Sequence, residues 1–414
     1  MSEVPRVAAQ EMAHTSQKWR VLLLLSLAEL LAMAVWFSAS AVVPQLTAVW
    51  NLSDGGQAWL TMSVQIGFVV GALASALFNL ADRIPARTFF ASSALAAGLT
   101  TVAIPLFAQG LTFAIIMRFL TGVFLAGVYP VGMKIMATWT KKDRGLAIGL
   151  LVGALTVGSA LPHLLNVFGG IGEWQSVLYL ATVLSIASAL IGLFFVSEGP
   201  YRSPSPPFNI KQIGRILQQR GVVLANLGYL GHMWELYAMW AWIPLFLLSS
   251  FEIAGIGPQW ASIVAFSVIA IGGLGALLAG RLADQLGRTV ITSGSLIISG
   301  LCAVGIGFLF GGNPVLLTAV SLIWGFAIVA DSAQFSAAVS ELSDPNYVGT
   351  TLTLQTSLGF LLTLFTIRMV PPLVNLVGWQ FAFAFLALGP VVGLWAMLTL
   401  RRLPEAARLA NGKR

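Results

Sequence analysis

Charge is what this sequence has least of. Only 9% of its 414 residues are Asp, Glu, Lys or Arg, 57% are hydrophobic, and the mean hydropathy is +0.88. Soluble chains carry about 25% charged residues, so this one lacks the polar surface that water requires, and the bilayer is its expected solvent. Cysteine is nearly absent. Cys302 stands alone in an apolar run, which excludes a disulfide within the chain and says nothing of redox compartment. No Cys/His cluster and no His-Glu-x-x-His is present, so no metal site is expected. The nearest approach to a phosphate loop, Gly127 to Gly132, is followed by Met133 where a lysine is needed and lies inside a helical run, which speaks against ATP as the energy source. No nucleophile and base stand in register, so neither catalytic residues nor a cofactor are expected.

Long apolar runs are abundant. A spanning helix takes about 20 apolar residues, and such runs occur near 20–46, 57–81, 87–109, 111–138, 144–168 and 174–196, then near 220–250, 259–283, 288–311, 314–339, 347–373 and 378–401. The expectation is an all-α, polytopic membrane protein of twelve transmembrane helices. Residues 1–196 form an N-terminal six-helix bundle, 197–219 a linker, 220–401 a C-terminal six-helix bundle and 402–414 a tail. The linker holds Pro200, Pro204, Pro206 and Pro207, then places Ile210, Ile213 and Leu217 at helical spacing, as an interfacial helix would. The polar stretch Met1 to Lys18 carries no cleavable signal pattern, and the first apolar run reads as an anchor.

The net charge of +7 and isoelectric point near 9.9 do not point to nucleic acid, which needs a basic face on a soluble module. Under the twelve-helix assignment, all 22 Lys and Arg except Arg118 and Arg368 fall at one end of the helices or in the segments joined there. Asp54, Glu173 and Glu252 mark the other end. By the positive-inside rule both termini are cytoplasmic, in an inner (plasma) membrane. A repeat is visible as well. Glu29-Leu30-x-Ala32-Met33-x-x-Trp36 returns as Glu235-Leu236-x-Ala238-Met239-x-x-Trp242, which makes the first and seventh helices counterparts in two parallel halves.

The run Gly280-Arg-Leu-Ala-Asp284-Gln-Leu-Gly287-Arg288 resembles the G-x-x-x-D-x-x-G-R loop signature of the major facilitator superfamily. Its first-half copy keeps Leu80-Ala81-Asp82 but has Phe78 and Pro85 for the glycines and Ala86 for the arginine, with Arg87 one place late, which puts the tight turn there in doubt. Arg118-Phe-Leu-Thr-Gly122 is similar to the family's intramembrane R-x-x-x-G motif. Arg144-Gly145-Leu-Ala-Ile-Gly149 is similar to its R-G-x-A-x-G entry to helix 5. The resemblance covers the whole chain. It implies two pseudo-symmetric bundles around a central cavity and alternating access, with Asp82 latching onto the start of helix 11 and Asp284 onto the start of helix 5. Gly287, Arg288 and Arg144 belong to the same gates. The Gly-Pro pair of the family's antiporter signature is only half present, since Gly149, Gly153 and Gly158 precede Ser-Ala-Leu-Pro162.

Charges within the spans are costly, at least about 2.5–3.5 kcal/mol at mid-bilayer, so each reads as functional. Glu29, Arg118, Glu235 and Asp331 lie on helices 1, 4, 7 and 10, which the resemblance makes cavity-lining. At about 1.5 Å per residue, Arg118 and Glu235 share a depth and form a candidate pair across the halves. Arg118, Glu29, Trp36, Tyr237, Trp242 and Trp324 are the candidate substrate-binding residues. Glu235, Glu29, Asp331 and His232, the last on the same face as Glu235, are the candidates for proton coupling. The competing reading for each carboxylate is a hydrogen bond that locks its bundle. His163, after Pro162, reads as structural or as a relay, and Arg368 as snorkelling. The function expected is proton-coupled transport of a small organic, anionic solute by a monomer, closest to organic-anion, cyanate or nitrate-type facilitators. Proton/solute antiport and a non-transporting receptor are the alternatives. The expected partners are the solute, protons and the lipid bilayer, with no nucleic acid and no enzymatic activity.

Overall fold

The computed structural model describes every residue except 1–3, 141–143, 169–172, 202–208, 210–211 and 345–346, and no side chain of 4–15, 144–145 or 168. Inside a bilayer a chain must pair its own backbone N–H and C=O groups. Among the described residues the regular elements are helices and none is a strand. The first half runs α1 (Val4–Met33), α2 (Val43–Trp50), α3 (Asp54–Leu77), α4 (Leu80–Arg83), α5 (Ala86–Phe107), α6 (Leu111–Leu125), α7 (Tyr129–Ala137), α8 (Arg144–Phe168) and α9 (Trp174–Phe194). A short α10 (Ile213–Gln218) leads to α11 (Arg220–Ile253), α12 (Pro258–Leu286), α13 (Arg288–Gly305), α14 (Pro314–Ala330), α15 (Ser332–Leu342), α16 (Val348–Val377), α17 (Trp379–Ala382) and α18 (Leu388–Arg402). Among the described residues, eleven stretches are long and apolar enough to cross a membrane, with α6–α7 and α14–α15 each counted as one rod. The remaining rod, α1, is more charged, carrying Lys18, Arg20 and Glu29.

Helix starts follow local chemistry. Ser53 accepts the Gly56 N–H at 3.3 Å ahead of α3, and Asn313 accepts those of Val315 and Leu316 at 2.9 and 3.2 Å ahead of α14. Each cap satisfies donors that the first helical turn leaves free. Between α12 and α13 the chain reverses at Gly287, whose φ of 102° suits only glycine. The first-half loop has no glycine and is looser, with Asn79 at φ 50° and the extra turn α4.

The sequence repeat recurs as packing. A Cβ on Gly122 would strike the Val64 carbonyl, and one on Gly325 the Val268 carbonyl. A Cβ on Gly71 would meet the Val123 carbonyl and Ala126, and one on Gly275 the Phe326 carbonyl and Ala330. Thus α3 against α6 and α12 against α14 are the same small-residue joint, built twice. The halves meet along two seams. On one, Gly153 of α8 faces Gly273 of α12, where an added Cβ would lie 3.2 or 3.1 Å from the opposite carbonyl oxygen. On the other, α3 packs against α16.

Three rods expected to be continuous are broken. The first ends at Met33 and resumes at Val43, where Pro44 sits in the opening turn; the fourth breaks between Leu125 and Tyr129, ahead of Pro130; the tenth breaks at Asp331. A proline has no N–H and fits a helix's first turn better than its interior. The seventh rod, α11, continues for 34 residues through Pro244. In the linker, Ile210 lies outside the described residues, and the buried face of α10 falls on Ile216 while Leu217 is 61% exposed, which differs from the expected stripe.

Gly122→Val is expected to destabilise the purified protein by about 1–3 kcal/mol, the usual cost of overpacking, because the obstacle is a backbone carbonyl. Gly325→Val is expected to do the same at the equivalent joint. A thermal melt in detergent that shows no shift for either would refute the shared joint.

Candidate functional site

Two cavities lie on the seam between the halves, at opposite ends. The one nearer the basic end has a volume of about 570 Å³ and is lined by Trp36, Phe68, Tyr129, Tyr237, Trp240 and Phe360 in its depth, and by Asp284, Arg288 and Glu341 toward its mouth. The other, about 350 Å³, lies toward the end of Asp54 and is lined by Gln45, His163, Asn166 and Trp242 among others. Aromatic rings from both halves stand between them. Phe68 and Phe360 have ring centroids 4.8 Å apart, Trp36 and Phe360 5.5 Å, Trp36 and Tyr237 6.0 Å, and Phe37 and Trp240 5.9 Å. These spacings suit edge-on and tilted aromatic pairs. Both Trp36 and Trp240 are buried, and neither indole N–H has a hydrogen-bond partner.

The plug exists because the first rod unwinds after Met33 and turns Trp36 and Phe37 into the seam. Unwinding frees carbonyls that lipid cannot satisfy. Arg118 takes them: Nη1 donates to the Val35 carbonyl at 2.6 Å and to Ser38 Oγ at 3.2 Å, Nη2 to the Trp36 carbonyl, and Nε to the Leu60 carbonyl at 3.3 Å. At the corresponding place in the second half, four residues before Gly325, stands Ser321, which only bonds back to the Leu317 carbonyl at 2.8 Å. Its helical counterpart α11 stays unbroken.

The expected Arg118–Glu235 pair is therefore not formed. Glu235 accepts the Trp324 indole N–H at 2.6 Å within the second half, and His232 Nδ1 lies 2.8 Å from Asp331 Oδ1 beside it. Glu29 is fully buried with no partner on either carboxylate oxygen, and a Cβ on Gly132 would come within 3.1 Å of Oε2. It thus lies directly behind α7, whose Tyr129 and Met133 line the larger cavity. Glu29, Arg118, Glu235, Asp331, His232 and Trp324 line neither cavity. Trp36 and Tyr237 line the larger one, and Trp242 the smaller, with its own N–H donated to the Ile367 carbonyl at 2.9 Å. Phe68 and Phe360 were not anticipated, because a phenylalanine on an apolar helix carries no signal that separates a cavity wall from a lipid face.

At the basic end each latch aspartate has a described partner in its own half. Asp82 pairs with Lys134 of its own half, and Asp284 lies 3.5 Å from Arg288 and is half exposed. Arg288 instead holds Glu341 through two bonds of 2.8 and 2.6 Å and Gln334 through one of 2.7 Å. The side chain of Arg144 lies outside the described residues. Halfway along α3 and α16 Thr363 donates to Gln65, and at the opposite end Asn375 donates to Asp54 at 2.8 Å and Arg368 lies against Gly55. Among the described residues no group of three or more His, Cys, Asp or Glu is arranged to hold a metal ion.

Residues 25–367 match a family model described as Major Facilitator Superfamily. The chain is 22% identical over 438 residues to the hexuronate transporter of Escherichia coli K12, an alignment covering 94% of this chain and 96% of that one. It is 26% identical over 227 residues to an MFS-type transporter of Gibberella moniliformis, covering 54% and 52%. It is 31% identical over 132 residues to the niacin transporter NiaP of Acinetobacter baylyi, covering 30% and 29%. For the last two relatives the chain spans about half of their length or less.

Arg118→Met is expected to lower the melting temperature, since each buried acceptor left without a donor costs about 1–3 kcal/mol, and Arg118→Lys to restore only part of the loss. An unchanged melt for Arg118→Met would show that the arginine does not hold the unwound turn.

Proposed function

The chain belongs to the Major Facilitator Superfamily, and from that premise we propose that it is a secondary transporter that carries a small organic acid together with a proton by alternating access. The observation that carries this reading is the pair of cavities on one seam, with paired rings from both halves lining the depth of the larger one. Rocking of residues 1–196 against 220–401, with 197–219 as linker and 402–414 as tail, would part those rings toward one cavity at a time. Asp82 and Asp284, each with a partner in its own half, and the Asn375–Asp54 tie at the opposite end support a state open at the basic end, which the charge distribution assigns to the cytoplasm of an inner membrane. The protein would work there as a monomer.

An organic acid is supported by two features. The relatives include a hexuronate and a niacin transporter, both named for carboxylic acids. Trp36 and Trp240 also line the larger cavity, and their buried, unpartnered indole N–H groups would become donors to the oxygens of a solute once the rings part. With Arg118 engaged on backbone carbonyls, these donors take the place of the cation expected from sequence. For the proton, Glu29 is the first candidate, because an uncompensated buried charge is costly and nothing cationic stands beside it. Glu235 and the His232–Asp331 pair are the second.

Reconstituted into liposomes, the protein is expected to accumulate nicotinate or glucuronate under a pH gradient. Glu29→Gln is expected to abolish that accumulation and to leave counterflow exchange intact. Accumulation by Glu29→Gln equal to the parent removes Glu29 from coupling, and a failure of the parent to respond to the gradient with any organic acid defeats the proposed function. Trp240→Phe is expected to raise KM about tenfold, the cost of one lost hydrogen bond to a charged group, with less effect on the maximal rate.

A further inference from the structure

Residues 404–414 cross the basic end of the second half and reach the mouth of the larger cavity. The tightly turned segment Pro404–Gly412 packs on α12, α15 and α18, with Ala406 and Leu409 fully buried. Arg408 anchors it to the end of α15, donating to the Leu342 carbonyl at 2.8 Å and to the Ser343 carbonyl at 3.3 Å. Farther along, the Lys413 and Arg414 carbonyls lie so close over Gly287 that a Cβ there would have no room, and Arg401 donates to the Arg414 carbonyl at 3.2 Å. Between these anchors the chain enters the left-handed region twice in succession, at Ala410 with φ 44° and at Asn411 with φ 55°. Asparagine tolerates that backbone, whereas alanine is strained in it. The Ala410 N–H donates to Glu341 Oε2 at 3.1 Å, and Ala410 and Asn411 line the larger cavity together with Asp284, Arg288 and Glu341.

We propose that this segment is a wedge that holds the larger cavity open toward the basic end and has to lift before the mouth can close. The anchors named above all belong to the second half, so the wedge travels with that half. Its strained turn lines a cavity whose other wall includes Met133, Ile148 and Val152 of the first half. Closing the mouth brings that wall against the turn. The seating also suits release. A left-handed alanine persists only while its surroundings hold it there, and the bond that holds it is a single one to Glu341. When that N–H leaves, Glu341 keeps its two bonds from Arg288, at 2.8 and 2.6 Å, so the carboxylate is not left unpaired. The inference rests on the alternating-access reading for its purpose, while the wedge itself rests on how residues 404–414 are seated.

The test is the distance between the halves at the basic end, read from paired spin labels on the detergent-solubilised full chain. The labels go on Arg83→Cys of α4 and Gln285→Cys of α12, both exposed positions, with the single cysteine removed as Cys302→Ala. Ala410→Pro has no N–H for Glu341 and cannot adopt a positive φ. It is expected to raise the ratio of short to long distances about tenfold, the effect of one lost bond to a charged group. Ala410→Gly keeps the N–H and eases the backbone, and is expected to hold that ratio at or below the parent's. An unchanged or lowered ratio in Ala410→Pro overturns the wedge, and a raised ratio in Ala410→Gly does the same. Where Ala410→Pro yields no folded protein, Arg408→Gln, which removes the anchor on α15 from an exposed position, decides by the same rule. Two distances whose ratio ignores these changes overturn the wedge alone. A single distance in the parent and in every variant overturns the wedge and the rocking of the halves together.

Discussion

A peptide carbonyl inside a bilayer has to find a donor, and for Val35 and Trp36 that donor is Arg118. Much else depends on this contact. Because a guanidinium offers five N–H groups in a planar fork, it can hold four acceptors from two different segments, and the first rod can therefore stop at Met33 without leaving orphaned carbonyls. The turn that follows carries Trp36 and Phe37 into the seam. Without the turn these rings would sit on a helical face, and the two cavities would not be divided where they are. The cost of burying the cation is met by the bonds it makes, which is why it has no carboxylate partner.

The two halves share a joint and differ in what they do with it. Gly122 and Gly325 let the fourth and tenth rods close on the second and eighth to the point of carbonyl contact. One turn earlier the halves diverge, Arg118 against Ser321. Serine satisfies itself on its own helix and offers nothing to a neighbour, so α11 keeps its internal bonds and runs through. The repeat is thus near-symmetric in packing and asymmetric in polar chemistry. One half supplies an unwound turn and an isolated carboxylate at Glu29. The other supplies a continuous helix and a polar cluster in which Trp324 donates to Glu235 and His232 stands against Asp331.

This division fits a machine whose contacts across the seam must be made and broken. Aromatic pairs lose little when they slide, being individually weak and without strict direction, whereas the buried charges are held inside one half or the other and would stay covered in the proposed rocking of the halves. The ties between α3 and α16, Gln65 with Thr363 at mid-height and Asp54 with Asn375 at the far end, are single hydrogen bonds that can break one at a time. The Gly153–Gly273 contact brings two backbones close without interlocked side chains, which leaves that seam free to slide.

Hydropathy and charge placement by themselves determined the membrane class, the all-α fold and the order of the rods, because a bilayer dictates helix length and composition locally, and the Gly280–Arg288 and Arg118–Gly122 motifs carried the family. The Glu29/Glu235 repeat was legible for the same reason, each copy being a short run on one helix. The loop turn at Gly287 could also be read, since a glycine there reports a backbone demand. What the tertiary structure alone decided is where each buried charge finds its partner. Depth along a helix predicted that Arg118 and Glu235 would meet, but rotation about the helix axis and the unwinding of a neighbouring rod are not encoded in depth. The guanidinium went to carbonyls that exist as free acceptors only once the first rod has broken. The positions of Phe68 and Phe360 in the cavity wall came from the same source: an apolar ring becomes a wall only when another segment, hundreds of residues away in sequence, leaves a space beside it.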